Sequence, residues 1–176
     1  IRPDSAHNRH INHLAPYKSD TNTRCHSKNK IGHLMPSWKN ILERILDQDM
    51  EKAPPHVHAL KLYDGRLTEI GEGRITYEWP VNPEFMNPQA VFGGYLATLA
   101  DQTCSFALMT LLKDNQNFTT IDLNLHYFRP VTGGTLKCVG EVVNVSKTQA
   151  YVEATFTSDD GKIALKARAV ERLLKS

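Results

Sequence analysis

The chain has 176 residues, 40% of them hydrophobic, enough to bury the core of one globular domain with some chain to spare. A formal net charge of +2, with basic residues scattered rather than striped, argues against nucleic acid as a partner. No apolar run reaches the ~18 residues of a membrane span, because Asp101 and Gln102 interrupt the longest one. The three cysteines, Cys25, Cys104 and Cys138, lack Cys-x-x-Cys spacing, which predicts reduced thiols and a cytoplasmic protein.

Residues 1–34 are polar, rich in His, Asn, Ser and Lys, and aperiodic, and they are expected to be a disordered or non-native tail. His7, His10 and His13 recur every third residue, but no Cys or carboxylate cluster completes a metal site. Met35-Pro36-Ser37 reads as a natural start. Residues 35–56 then form an N-terminal helix and linker. Ser37 is the expected N-cap, Trp38, Ile41, Leu42, Ile45 and Leu46 follow at helical spacing, and Pro54-Pro55 ends the helix.

The main domain is expected over 57–176. Leu60 to Tyr63 and Leu67 to Ile70 read as short extended pieces around an Asp64-Gly65 turn, and Arg74 to Val81 alternates as a strand. Asn82 to Phe92 is a Pro-bearing loop, and Gly93 to about Lys113 is a long apolar helix. Thereafter the period is two. Thr119 to Phe128 places Ile121, Leu123, Leu125 and Tyr127 against Asp122, Asn124 and His126. Thr135 to Val145, Ala150 to Ser158 and Lys162 to Leu173 follow, the last two joined at the hairpin signal Asp160-Gly161. The class is α+β: a long helix, apolar over a wide arc, must be wrapped by a curved antiparallel sheet to be buried.

The chemistry concentrates in Asn87-Pro-Gln-Ala-Val-Phe-Gly-Gly-Tyr-Leu-Ala-Thr-Leu-Ala-Asp101. Gly93 and Gly94 stand where the helix begins, so backbone N–H groups without an internal partner face a ligand there with no side chain in the way. A carbonyl placed against them is polarised as in an oxyanion hole. Asp101 lies two turns further on, at the border of the apolar arc, near enough along the helix to serve an attacking water or to attack directly. A carboxylate at the edge of a buried face costs desolvation energy and calls for a reason.

This order of elements, with Gly-Gly opening the helix and an Asp inside it, resembles the hotdog-fold thioesterases of the phenylacetate-degradation, or PaaI-like, type over roughly Leu60 to Leu174. In that family an Asn-bearing loop leads to His-Gly-Gly, and an acidic residue follows eight positions after the first Gly, the spacing of Gly93 and Asp101 here. The family's loop Asn is similar to Asn87, the Ser or Thr before the next strand to Thr120, and the final hairpin to Asp160-Gly161-Lys162-Ile163-Ala164. The usual His before the Gly pair is Phe92 in this chain.

The resemblance implies hydrolysis of acyl-CoA thioesters to free acid and coenzyme A. The Gly93 N–H holds the thioester oxygen, Asp101 acts as general base or nucleophile, Thr120 positions water or the Asp, and Asn87 steadies one end of the substrate. Phe92, Gly94, Tyr95 and Arg129 are the further substrate-binding candidates. Coenzyme A is then part of the substrate, and no cofactor or metal is expected. The resemblance also implies a homodimer or tetramer with sites at the subunit interface, where Thr120 faces Asp101 of the partner subunit. The alternative on the same fold is a non-catalytic acyl-CoA-binding module, which Phe92 favours and Asp101 opposes. A hotdog hydratase would need a His paired with an acid, and no such pairing is evident around His56, His58 or His126.

Overall fold

The computed structural model describes residues 37–49 and 53–174. The expectations for residues 1–34, including Cys25 and the spaced histidines, lie outside them. Helix α1, Trp38–Leu46, begins as the sequence requires, with Ser37 Oγ accepting from the Asn40 N–H at 3.1 Å. The Trp38 indole N–H donates to Gln116 O at 2.9 Å and its ring lies 5.6 Å from that of Phe118, which ties α1 to the main body.

Two expectations in this region are corrected. Helix α1 closes at Asp47, and Pro54-Pro55 starts a second short helix, α2 (Pro55–Ala59), with Pro55 in the first turn. Proline is tolerated there because its missing N–H would be unpaired anyway. Leu60 to Tyr63 is not extended: α2 is capped at Leu60, and a 3-10 turn follows over Leu62–Asp64. Gly65 is required for space, since a Cβ would stand 2.3 Å from Tyr77 and Trp79. Strands β1 (Arg66–Gly71) and β2 (Arg74–Pro80) are joined instead at Gly73, whose φ of +69° suits glycine.

Helix α3 spans Gly93–Met109 and stops short of the expected Lys113. Strands β3 (Phe118–Tyr127), β4 (Thr135–Val145), β5 (Gln149–Thr157) and β6 (Ile163–Leu173) complete a six-stranded antiparallel sheet of order β1-β2-β4-β5-β6-β3. The last three strands form the expected meander. Strand β3 leaves it and crosses to the far edge, beside β6. The class is the α+β expected, a curved antiparallel sheet with a long helix on one face.

The core is the interface of that helix with the sheet. Leu96, Leu99, Ala100, Thr103, Cys104, Ala107 and Leu108 of α3 are buried. Thr103 satisfies its hydroxyl by donating to Leu99 O at 2.7 Å. Gly140, Ala154 and Ala167 are paired in register across β4, β5 and β6, a row of small residues. A Cβ at Gly140 would stand 2.7 Å from Thr103 O, so the helix backbone lies almost on the strand. The thiols of Cys104 and Cys138 are free and buried. No helix among the described residues is long and apolar enough to cross a membrane.

Candidate active site

The N-terminus of α3 carries the electrophile-holding candidates. Phe92 is its N-cap and offers no side-chain hydrogen bond, so the N–H groups of Gly93 and Gly94 have no partner from the cap or from within the helix. Phe92 is 62% exposed, and its ring folds over Gly94, where a Cβ would meet it at 2.5 Å. The Tyr127 hydroxyl donates to Gly93 O at 2.8 Å, bringing the end of β3 to the helix start. Val91, Gly93, Leu96, Tyr127, Phe128 and Arg129 line an open cavity of about 250 Å³ here. Arg129 thus lines the same cavity as Gly93.

Asp101 is elsewhere. Eight residues of helix rise about 12 Å, too far for Gly93 and Asp101 of one chain to engage the same carbonyl carbon. The expectation that one rigid element supplies both to one substrate is corrected by that geometry. Asp101 lines a second cavity of about 630 Å³ with Thr98, Gln102 and Ser105. The polar arc of α3 thus faces a chamber roofed by α1 and α2. Trp38, Ile41, Ile45, Val57, Phe106 and Met109 give it apolar walls, and His56 also lines it.

The Thr120 hydroxyl donates to Asp101 Oδ1 at 2.8 Å within one chain. The resemblance implies a meeting across subunits; the fold makes it locally. A β-bulge at Ile121 is the cause. Thr120 pairs with Glu171 and Asp122 with Val170, leaving Ile121 as the extra residue. That residue restores Thr120 to the helix-facing side shared by Leu123 and Leu125, while Ile121 is turned out, 50% exposed.

Asn87 and Tyr95 do not join either group. Asn87 Oδ1 accepts from the N–H groups of Gln89 and Ala90, both at 2.9 Å, the hydrogen bonds of a loop-forming turn. Tyr95 is buried and stacked on Phe85 at 3.8 Å between ring centroids, and it lines neither cavity. Burial pushes its phenol up to about 12.

Sequence reasoning missed Glu171. It has no exposed surface, it faces Thr120 across the β3–β6 ladder, and neither carboxylate oxygen has a hydrogen-bond partner among the described residues. Thr120 donates its hydroxyl proton to Asp101. Burial pushes the Glu171 carboxyl up to about 7; the nearby Thr120 hydroxyl opposes the rise and the Asp101 charge adds to it. Cys104, below it on α3, has its thiol pushed up, first by burial and then by Glu171 and Asp101. The signal was readable: Glu171 is the charged residue in an inward row of β6 otherwise made of Leu165, Ala167, Ala169 and Leu173. The described residues contain no His, Cys, Asp and Glu cluster able to hold a metal ion.

Residues 89–165 match the sequence model of the thioesterase superfamily. No curated protein matches the chain in sequence. Among solved structures, a phenylacetic acid degradation-related protein from Ralstonia eutropha is similar at 22% identity and a TM-score of 0.64, over 77% of this chain and 98% of that one. The PaaI protein of the Escherichia coli phenylacetic acid degradation operon is similar at 17% identity and a TM-score of 0.65, over 81% and 97%. Zebra fish thioesterase superfamily member 2 gives 18% identity and a TM-score of 0.66, over 78% and 99%. The fold is the hotdog fold of these proteins, and the expected likeness to PaaI-like thioesterases holds. The superfamily match supports thioester hydrolysis as the class of reaction.

Proposed function

We propose that this chain, with its hotdog fold and its thioesterase superfamily match over residues 89–165, hydrolyses acyl-CoA thioesters to free acid and coenzyme A. The observation that carries the reading is the Thr120 hydrogen bond to Asp101 at the wall of an apolar cavity of about 630 Å³. That volume falls within the ~300–1,000 Å³ of small-molecule sites.

The working site is composite, formed in a homodimer or larger homo-oligomer. The Gly93 N–H of one subunit holds the thioester oxygen, and Asp101 of the partner subunit acts on the carbonyl carbon. The ~12 Å between these residues along one helix motivates the second copy, and the edge of β3 supplies a surface for it. That strand has a neighbour on one side alone, and Ile121 and Tyr127 on it and Phe128 just after it are each at least half exposed. Tyr127 also touches Gly93, so this apolar edge is continuous with the helix start.

Asp101 removes a proton from water as the water oxygen bonds to the carbonyl carbon. The thiolate then leaves with the electron pair of the carbon–sulfur bond and takes up that proton. Direct attack by Asp101, giving a mixed anhydride that water then opens, uses the same groups. Thr120 holds the carboxylate in line, Arg129 meets the substrate beside Gly93, and Phe92 covers the helix start. The reaction so written uses no metal, and coenzyme A enters as part of the substrate. The buried free thiols of Cys104 and Cys138 fit the reducing cytoplasm of this reading.

Thiol release from short, medium, long and aromatic acyl-CoAs tests the proposal. Turnover of at least one class is the expected result. Binding of the panel without thiol release would overturn it in favour of the acyl-CoA-binding module, which Phe92 at the family's His position supports.

A further inference from the structure

Glu171 has no part in the reaction as written, yet a buried carboxyl without a partner is costly enough to need an explanation. Its surroundings supply one. From β3, Thr120 faces it directly in register; from α3, Asp101 and Cys104 lie close enough to interact with its charge; from β5, its neighbour in register is the apolar Ala150. Thr120 already donates to Asp101. We propose that Glu171 is a positioning residue, whose carboxyl group acts through the Thr120 hydroxyl to fix the orientation of Asp101.

The chemistry of the three groups makes this coherent. A threonine hydroxyl has one proton to give and two lone pairs to receive with. With its proton on Asp101, Thr120 can accept from a second donor, and a neutral carboxylic acid is such a donor. Burial beside another carboxylate favours that neutral form of Glu171. The resulting chain runs from Glu171 O–H to Thr120 Oγ1 and from Thr120 O–H to Asp101 Oδ1. Ionisation of Glu171 reverses it: the anion takes the Thr120 proton for itself and repels Asp101. Neutral Glu171 sets the carboxylate for reaction, and anionic Glu171 releases it.

The inference rests on the thioesterase reading, so one measurement is chosen to need no turnover. In the full-length chain, Glu171→Leu removes a buried polar group without leaving a large cavity. It should lower kcat about tenfold, the factor for one lost hydrogen bond of ~1.4 kcal/mol, with KM nearly unchanged and Tm equal or higher. Glu171→Gln keeps a donor for Thr120. It should recover most of that loss, and it should lack the decline in kcat above about pH 7 that ionisation of Glu171 is expected to cause in wild type. The assays use the acyl-CoA of the panel hydrolysed fastest. Carboxyl carbon NMR of the unliganded protein should show Glu171 titrating near 7, and the midpoint should fall in Asp101→Asn as the like charge is removed.

An unchanged kcat in Glu171→Leu would overturn the inference, as would equal loss in both variants, or one pH profile shared by wild type and Glu171→Gln. Should Glu171→Leu fail to fold, the Glu171→Gln profile decides. If no acyl-CoA is hydrolysed, the thioesterase reading fails alone. The NMR titration then decides the inference, and a Glu171 midpoint that is the same with and without the Asp101 charge overturns it.

Discussion

Thr120 and Asp101 stand 2.8 Å apart, hydroxyl to carboxylate, because a single extra residue in an edge strand turns the threonine toward the helix. The relationship predicts an order of effects. Asp101→Asn keeps size and shape but can neither take a proton nor attack as an anion, so acyl-CoA hydrolysis should fall ~10²–10⁴-fold with the fold intact. Thr120→Val, which loses the hydroxyl at constant volume, should cost less. Steady-state thiol release checks both, and Thr120→Val as damaging as Asp101→Asn would contradict a supporting role for the hydroxyl.

A second prediction concerns stability and pH. Glu171 is held near 7 in the folded protein, above its ordinary value, so the folded state binds more protons than the unfolded chain between those values. Stability contributed this way is complete below the unfolded pKa and is lost as pH rises through the folded one. Between pH 4 and pH 8 the loss should be ~2–3 kcal/mol. Glu171→Gln should flatten the Tm profile across that window. A wild-type profile parallel to that of the variant would show that Glu171 is not the group responsible.

Packing gives a third. At Gly140 an added Cβ meets the backbone oxygen of Thr103 at 2.7 Å and Ala107 Cβ at 3.2 Å, and neither is a flexible tip that can swing aside. Gly140→Ala must lift α3 from the sheet and should cost ~1–3 kcal/mol, read as a fall in Tm of several degrees. Gly133→Ala is the control, because nothing lies within 4 Å of the new methyl group. Equal melting of the two variants would mean that the helix has room to move.

The fold was legible where a period is uninterrupted. Ser37, the apolar arc of α3 and the alternation of β4, β5 and β6 predict elements that form with shifts of a residue or two. The α3 C-terminus is placed four residues late, because the apolar Leu111 and Leu112 extend the helical pattern beyond Met109. Larger misses fall where long-range pairing overrides local pattern. An alternating reading of β3 puts Ile121 inside and Thr120 outside; the bulge reverses both, and nothing in the alternation announces it. The crossing of β3 to β6 is set by sheet closure, which local period does not encode. Of the site, Gly93, Asp101 and Thr120 are legible through spacing and resemblance. Glu171 was equally visible as a charge in an apolar row, but the resemblance drew attention to the loop and helix instead.

The composite site makes the last prediction. Gly93→Pro removes the N–H offered to the thioester oxygen while respecting the fold. Proline is favoured at the first helical position, and the preceding Phe92, at φ −58° and ψ 127°, has the conformation that precedes proline. A Cβ at Gly93 meets Tyr127 no closer than 3.6 Å. Gly93→Pro and Asp101→Asn should each be inactive as homo-oligomers. Unfolded together and refolded as a mixture, they should regain activity, since a mixed dimer pairs one intact Gly93 with one intact Asp101 of the partner subunit in half of its sites. Random pairing sets the ceiling at about a quarter of wild-type turnover for a dimer with two sites. A site contained in one chain would recover nothing on mixing, so the recovered rate decides between one subunit and two.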